Sequence, residues 1–301
     1  MRCNKCRREG LIFQEYSGQH LCRYHFEADL ERKAKHEIRS HHWLVPGDHI
    51  AVALSGDAGS SALLYFLKKL TASRRDIRIS AIMVDEGIAG YRDRRIAPGI
   101  AGSMGTNCIA VSFRERFGVT MDRIADEKGI THACTYCRVI RDFLLKATAA
   151  EHGITKLASG EDLDDQAARV MEHILRGTPE ILMHPGRRAP GKIPWIRPFA
   201  GIPREEVALY ASLHVRDYIQ SRCPYDTDPF EEDVKKMLSD LTTRHPATKH
   251  ALVNLQKNLD RACTTNADLF PSCERCGEPG DGICRSCRII NEVTANAAQE
   301  R

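Results

Sequence analysis

The cysteines carry most of the chemistry legible in this sequence: twelve of them in 301 residues. Cys3-x2-Cys6 is followed by Cys22-x2-His25, and Cys273-x2-Cys276 by Cys284-x2-Cys287. A two-residue gap lets both ligands of a pair reach one ion, and two such pairs complete the closed tetrahedron of structural zinc. The spacing therefore predicts two Zn2+ ions, one near each end of the chain. Scattered free thiols, or a redox pair, would not explain why each pair has a partner pair nearby. Such knuckles brace a fold or grip RNA, and Lys5, Arg7, Arg8 and Arg275 leave RNA contact open. Neither the pair Cys134-x2-Cys137 nor the isolated Cys223 has a partner pair nearby to close a zinc site, and a reactive persulfide and inert packing are both open for them. Cys108 and Cys263 belong to no pattern and read as packing residues.

A second chemical signature follows the run His49–Leu54, which reads as a buried strand. Ser55-Gly56-Asp57-Ala58-Gly59-Ser60-Ser61 then leads into an apolar helix, Ala62 to Leu70. Small residues let backbone N–H groups approach phosphate, the helix N-terminus adds a favourable dipole, and Ser55, Ser60 and Ser61 offer hydroxyls. There is no G-x-x-x-x-G-K-[ST], so this is not a Walker A loop. A plain strand-to-helix turn would look similar.

The elements that must position these residues alternate. Strands are expected at 49–54, 77–84, 108–113 and 156–159. Helices are expected at 92–104, from near Cys134 to about 151, at 163–176, 204–213 and 231–266. This alternation predicts an α/β fold with a parallel sheet covered on both faces. The Pro-, Gly- and Arg-rich stretch 183–198 reads as a loop. The expected organisation is an N-terminal zinc module (1–30), a charged helical connector (31–48), an α/β domain (49–225), a helical region (226–270) and a C-terminal zinc module with tail (271–301). His41 and His42 of the connector are expected to face solvent.

Net charge is +4, from 44 basic and 40 acidic residues, which permits nucleic-acid binding without demanding it. No apolar run approaches the ~20 residues of a membrane span, and the start Met1-Arg2-Cys3-Asn4 has no apolar leader core. A soluble, cytoplasmic protein is expected, in a reducing compartment where paired cysteines bind metal.

Several stretches together resemble one family. The loop Ser55–Ser60 is similar to the PP-loop S-G-G-x-D-S, with Asp57 at the second glycine and Gly59 at the acidic position. Val84-Asp85-Glu86-Gly87-Ile88-Ala89-Gly90-Tyr91-Arg92-Asp93, Cys134-Thr135-Tyr136-Cys137 with Arg138-Val139-Ile140-Arg141, and Gly160-Glu161-Asp162-Leu163-Asp164-Asp165 resemble segments of the tRNA 2-thiouridine synthetases. So do Leu175-Arg176-Gly177, Arg197-Pro198-Phe199 and Cys223-Pro224-Tyr225, as well as both end modules.

The resemblance implies a PP-loop (adenine nucleotide alpha hydrolase-like) core and ATP-dependent tRNA 2-thiolation: adenylation of a uridine 2-oxygen, then its displacement by sulfur. It implies a [4Fe–4S] cluster on Cys134, Cys137 and Cys223, with one iron open for sulfide, and Mg2+. ATP would be bound by Ala53, Leu54, Ser55, Gly56, Asp57, Gly59, Ser60, Ser61, Ile82, Arg141 and Gly160. Cys134, Cys223, Asp165 and Arg141 would be catalytic, Asp165 through magnesium or proton handling and Arg141 through phosphate or developing charge. The plain alternatives are a solvated helix-start carboxylate and an exposed arginine.

Glu161 and Asp162 replace the family's His-Asn, and four carboxylates in five residues need cations or protons beside a triphosphate. Asp85 and Glu86 fall at the strand edge where ligands bind. Arg92, Arg94, Arg95, Arg187, Arg188 and Lys192 are candidate contacts to tRNA phosphates. Expected partners are tRNA, free sulfide or a ubiquitin-like sulfur carrier, and a second copy in a homodimer. The alternative is a degenerate paralogue that binds tRNA or carries sulfur without turning over ATP. Amidation or lysine transfer would leave the sulfur-site cysteines unexplained.

Overall fold

The computed structural model describes residues 1–178, 182, 193–226, 228–263, 273–276 and 282–299, with side chains through Ala262 in the helix that ends at Cys263 and through Ala295 in the last helix. A short antiparallel hairpin, β1 (Ile12–Gln14) and β2 (Gln19–Leu21), opens the chain and leads into α1 (Arg23–Ser40). The remaining strands are β3 (His49–Ala53), β4 (Arg78–Asp85), β5 (Cys108–Ser112), β6 (Lys156–Ala158) and β7 (Trp195–Ile196). They form one sheet in the order β5-β4-β3-β6-β7 with every neighbouring pair parallel.

Period-two alternation splits the core between the two faces. Ile50, Val52, Ala81 and Met83 point to one apolar layer, with Phe26, Leu30 and Ala34 of α1, Leu63 and Leu67 of α2 (Ala58–Thr71) and Tyr210 of α8 (Arg204–His214). Ala51, Ile82 and Val84 point to the other, built with α5 (Met121–Lys128), α6 (Ile130–Glu151) and α11 (Arg285–Gln299). A smaller cluster joins α7 (Leu163–Leu175), α9 (Pro229–Arg244) and α10 (Thr248–Cys263). The other helices are α3 (Ile96–Ser103) and α4 (Phe113–Phe117). Chain order reverses at β3/β6, so the crevice beyond their carboxyl ends is where an open sheet of this kind takes its ligand.

Several expected boundaries move, each for a local reason. The cysteine-bearing helix starts at Ile130, not near Cys134, because Gly129 at φ +83° ends α5 one residue earlier. The helix expected from Arg92 starts at Ile96: Asp93 accepts the Arg95 N–H at 2.9 Å, and Pro98 is tolerated only in a first turn. The long terminal helix breaks at His245 before Pro246, since a pre-proline residue is driven out of the α region. The expected loop 183–198 contains β7, whereas its residues 183–192, with Arg187, Arg188 and Lys192, lie outside the described residues. The side chain of Cys263 also lies outside them.

Helix α1 crosses residues 30 and 31 unbroken, so the first cysteine module and the expected connector share one helix. Its buried acids fasten it to the sheet layer. Glu31 takes Lys69 of α2 at 2.5 Å and Tyr210 of α8 at 3.0 Å, and Glu37 takes Lys257 of α10 at 2.8 Å. Glu206, fully buried, accepts from Tyr16 at 2.6 Å. His41 and His42 are exposed as expected, His41 stacking on Trp43 at 4.6 Å.

Candidate functional site: a phosphate loop beside three thiols

The loop after β3 lies at the switch point. Gly59 and Gly160 approach backbone to backbone: a Cβ on Gly160 would sit 2.4 Å from the Gly59 carbonyl carbon, and one on Gly59 would sit 2.8 Å from the Gly160 oxygen. That contact joins the ends of β3 and β6 and leaves no room at position 59 for the family's carboxylate without a shift. The acid stands instead at Asp57, the N-cap of α2, whose Oδ1 accepts the Ser60 N–H at 2.8 Å. Ser55 Oγ and Ser60 Oγ share a hydrogen bond of 2.9 Å. Ser61 is wholly buried, so its hydroxyl is not presented to a ligand in this conformation. Leu54 and Ile82 are buried too; the Leu54 N–H donates to the Ile82 carbonyl at 2.9 Å, and their side chains serve the core. Ala53 ends the strand, half-buried.

Beside the loop, a cleft of about 270 Å³ is lined by Ser55, Asp85, Glu86, Tyr91, Arg92 and Ile219, among others. Ile219, on its wall, begins a segment that runs on to Tyr225. The Ile219 N–H donates to the Gly56 carbonyl at 2.7 Å, the Ser221 hydroxyl to the Tyr91 carbonyl at 3.3 Å, and the Cys134 thiol to the Tyr225 carbonyl at 2.8 Å. Cys223 is thereby carried between the phosphate loop and the Cys134–Cys137 turn. Burial pushes the Cys137 thiol up to about 11, Arg141 pulls it down, and the charges of Glu86, Cys223 and Cys134 add to the rise. Cys137 thus feels both partner thiols, and deprotonating it calls for a cation.

Arg141 follows Cys137 by one turn of α6 and meets Glu86 at 3.3 Å. Burial works against its charge, but Cys137, Glu86 and then Asp57 hold it firmly protonated. It is the cation that links thiols and phosphate loop electrostatically. Glu86, 4% exposed, also takes Arg92 at 3.3 Å, and that guanidinium lies 4.7 Å over the Tyr91 ring. Arg94 pairs with Asp85 at 2.8 Å and Arg95 with Asp93 at 2.8 Å. Of the candidate contacts to tRNA phosphates, the three within the described residues, Arg92, Arg94 and Arg95, are therefore engaged by the chain's own carboxylates.

The four carboxylates after β6 have found the cations they require. Glu161 takes Arg169 and Arg197, each at 2.6 Å; burial pushes it up, but those two charges bring it down to about 2. Asp162 caps α7 and takes Arg204 at 2.9 Å. Asp164 takes Lys249 at 2.6 Å. Asp165 closes the capping box with Asp162 and meets Arg204; burial and the Asp162 charge push it up to about 7 against the pull of Arg204. Arg169, Arg204 and Lys249 were not identified from sequence. A run of like charge signals that such partners must exist but not where they lie.

The two end quartets are assembled. Cys3, Cys6, Cys22 and His25 place ligand atoms within 4.8 Å of one another, as do Cys273, Cys276, Cys284 and Cys287. Cys3 lies 3.4 Å from His25 Nδ1, and Cys6 lies 3.6 Å from Cys22. Cys276 lies 3.5 Å from Cys284, and Cys273 lies 3.9 Å from Cys287. Metal–sulfur bonds of about 2.3 Å in a tetrahedron give edges of about 3.8 Å, so both sets fit one ion. Cys22 and Cys284 immediately precede α1 and α11, whose first turns supply His25 and Cys287. Burial raises the Cys3 thiol, but backbone donors from Cys22 and Lys5 and the His25 ring bring it down to about 6. Backbone donors of Cys284 and Cys276 bring Cys273 down to about 6. Cys108 packs against the core, half-buried.

A switch-point loop between parallel strands, a chain path from Gly56 to Cys134 and two metal quartets define a nucleotide-binding α/β protein of the PP-loop type. Residues 26–228 match the PP-loop domain model, and residues 2–27 match the model for the N-terminal LIM domain of the 2-thiouridine synthetase TtuA. The tRNA 2-thiolation protein NcsA of Haloferax volcanii is 31% identical over 98% of this chain and all of its own length. The tRNA-5-methyluridine(54) 2-sulfurtransferase of Pyrococcus horikoshii is 28% identical over 96% of this chain and 93% of its own. The structure of the U34-tRNA thiolase NcsA from Methanococcus maripaludis with its [4Fe-4S] cluster superposes with a TM-score of 0.83, at 28% identity over 97% of this chain and 96% of that one. The chain belongs to the tRNA 2-thiouridine synthetase family of PP-loop proteins.

Proposed function

We propose that this protein is an ATP-dependent tRNA sulfurtransferase that replaces the 2-oxygen of a uridine with sulfur. The uridine oxygen attacks the α-phosphorus of ATP and diphosphate leaves; sulfur then attacks C2, and AMP leaves with the former 2-oxygen. The observation that carries the reading is the path of residues 219–225, which ties the phosphate loop at Gly56 to the thiol site at Cys134.

Within this reading Gly56, Gly59 and Ser60 seat the phosphates at the N-terminus of α2. Arg141 steadies the negative charge that grows on the leaving phosphate while facing the thiols. Asp165 holds magnesium or takes a proton. Cys134, Cys137 and Cys223 would hold a [4Fe–4S] cluster, as the Methanococcus maripaludis relative does. Such a cluster supplies an iron corner able to bind inorganic sulfide. The two quartets would hold structural zinc. The sulfur donor is free sulfide or a ubiquitin-like carrier, separated by whether sulfide alone supports turnover. Among the described residues no helix is long and apolar enough to cross a membrane.

Cys223→Ser tests the ligand set. Purified anoxically, the variant should lose its iron and keep both zinc ions; iron content equal to wild type would refute the assignment. A second reading, tRNA binding or sulfur carriage without ATP turnover, is favoured by Asp57, whose carboxylate already occupies a phosphate-loop N–H at 2.8 Å. It requires tRNA binding with no AMP release.

A further inference from the structure

The cysteine-bearing turn of α6 is held from outside the nucleotide domain. Tyr136, between Cys134 and Cys137, donates its phenol hydrogen to Glu292 of α11 at 2.8 Å. The other Glu292 oxygen meets Lys128, the last residue of α5. Ile289, Ile290 and Val293 of α11 are buried in the same apolar cluster as Ala133 and Ile140, with Tyr136 and Cys137 packed against it. Ala133, Cys137, Ile140 and Leu144 recur at three- and four-residue spacing, so one stripe of α6 faces that cluster. Cys287, of the C-terminal quartet, lies in the first turn of the same helix, two residues before Ile289. A metal in that quartet would fix the first turn of α11, and α11 holds Tyr136 through Glu292. Among the described residues the N-terminal quartet shows no such route, because α1 packs on the opposite face.

We propose that the C-terminal metal module is the brace of the thiol site, with Glu292 a positioning residue that acts through Tyr136 on Cys134 and Cys137. Partners one shell outside a metal's ligands typically change retention by about 10- to 100-fold when removed. The exposed ion pair to Lys128 contributes little alone; the phenol hydrogen bond orients the turn.

The inference rests on the iron–sulfur reading above, and the experiment separates the two. Wild type, Glu292→Gln, Tyr136→Phe and, as control on the other face, Glu206→Gln would be loaded with iron and sulfide anoxically. Cluster loss to a chelator is followed by absorbance, and alkylation of Cys137 in the iron-free proteins by mass spectrometry. Thermal melting checks that each variant is folded. Glu292→Gln and Tyr136→Phe should lose the cluster about tenfold faster or more and alkylate faster at Cys137, while Glu206→Gln matches wild type. Loss rates equal to wild type in both brace variants would overturn the proposal. If wild type takes up no iron, the functional reading fails. The brace is then judged on alkylation alone: acceleration in Glu292→Gln upholds it, and an unchanged rate refutes it.

Discussion

The two faces of the parallel sheet are fastened by different means. On the nucleotide face, α1 is clamped by buried charge: Glu31, Glu37 and Glu206 each take lysine or tyrosine partners from distant elements. On the thiol face, α11 is seated by Ile289, Ile290 and Val293, with Glu292 as its polar anchor. The thiol face keeps its family's pattern, whereas the nucleotide face departs from it at Asp57, Gly59, Glu161 and Asp162. Those departures are answered within the chain: Gly59 admits Gly160, and arginines answer Glu161 and Asp162. A changed motif in a charged site is thus to be read through its partners, because the partners decide whether the charge is available to a ligand.

This division can be broken by changes confined to one face. Gly160→Ala should have the largest effect, since its methyl group would meet backbone atoms at 2.4–2.6 Å. A cost of about 3 kcal/mol or more at the loop would abolish nucleotide binding by calorimetry and spare iron uptake; loss of both would mean the faces are not separable. Arg141→Met, at the junction, should retain iron and nucleotide but slow single-turnover thiolation roughly 100- to 1000-fold. A change smaller than about tenfold would make it an ordinary surface arginine.

Asp57→Gly comes next. Removing a carboxylate that competes for the Ser60 N–H should tighten diphosphate binding by about tenfold, or ~1.4 kcal/mol. Weaker binding would instead identify Asp57 as a metal ligand. Asp165→Asn should be the mildest. The folded carboxyl, at about 7, lies above its ordinary value of 3.8. Its contribution to stability is therefore complete below that ordinary value and is lost as pH rises through about 7. Nucleotide-free wild type should melt about 3 °C lower at the alkaline end of this window, and Asp165→Asn should flatten the trend.

The strand–helix alternation and the two metal quartets were legible because both are local patterns: burial repeats every second residue in a strand, and paired ligands two apart meet one ion. Cys134, Cys137 and Cys223 were grouped only through family resemblance, since no spacing rule joins Cys223 to Cys134 across the intervening chain. The link runs through Ile219 and Gly56, a contact made by the fold. The cations answering Glu161 and its neighbours come from α7, β7's end, α8 and α10, so the need was visible but the donors were not. Glu292 carried no signal, because a glutamate on an amphipathic helix normally faces water.

The most direct measurement is anoxic incubation of the iron-loaded protein with tRNA, magnesium-ATP and sulfide, with the tRNA nucleosides and AMP quantified together. A 2-thiouridine formed one-for-one with AMP, and absent in Cys223→Ser, is the expected result. AMP released without any thiolated nucleoside, or neither product from fully loaded protein, would contradict a sulfur-transfer site built from these thiols and this loop.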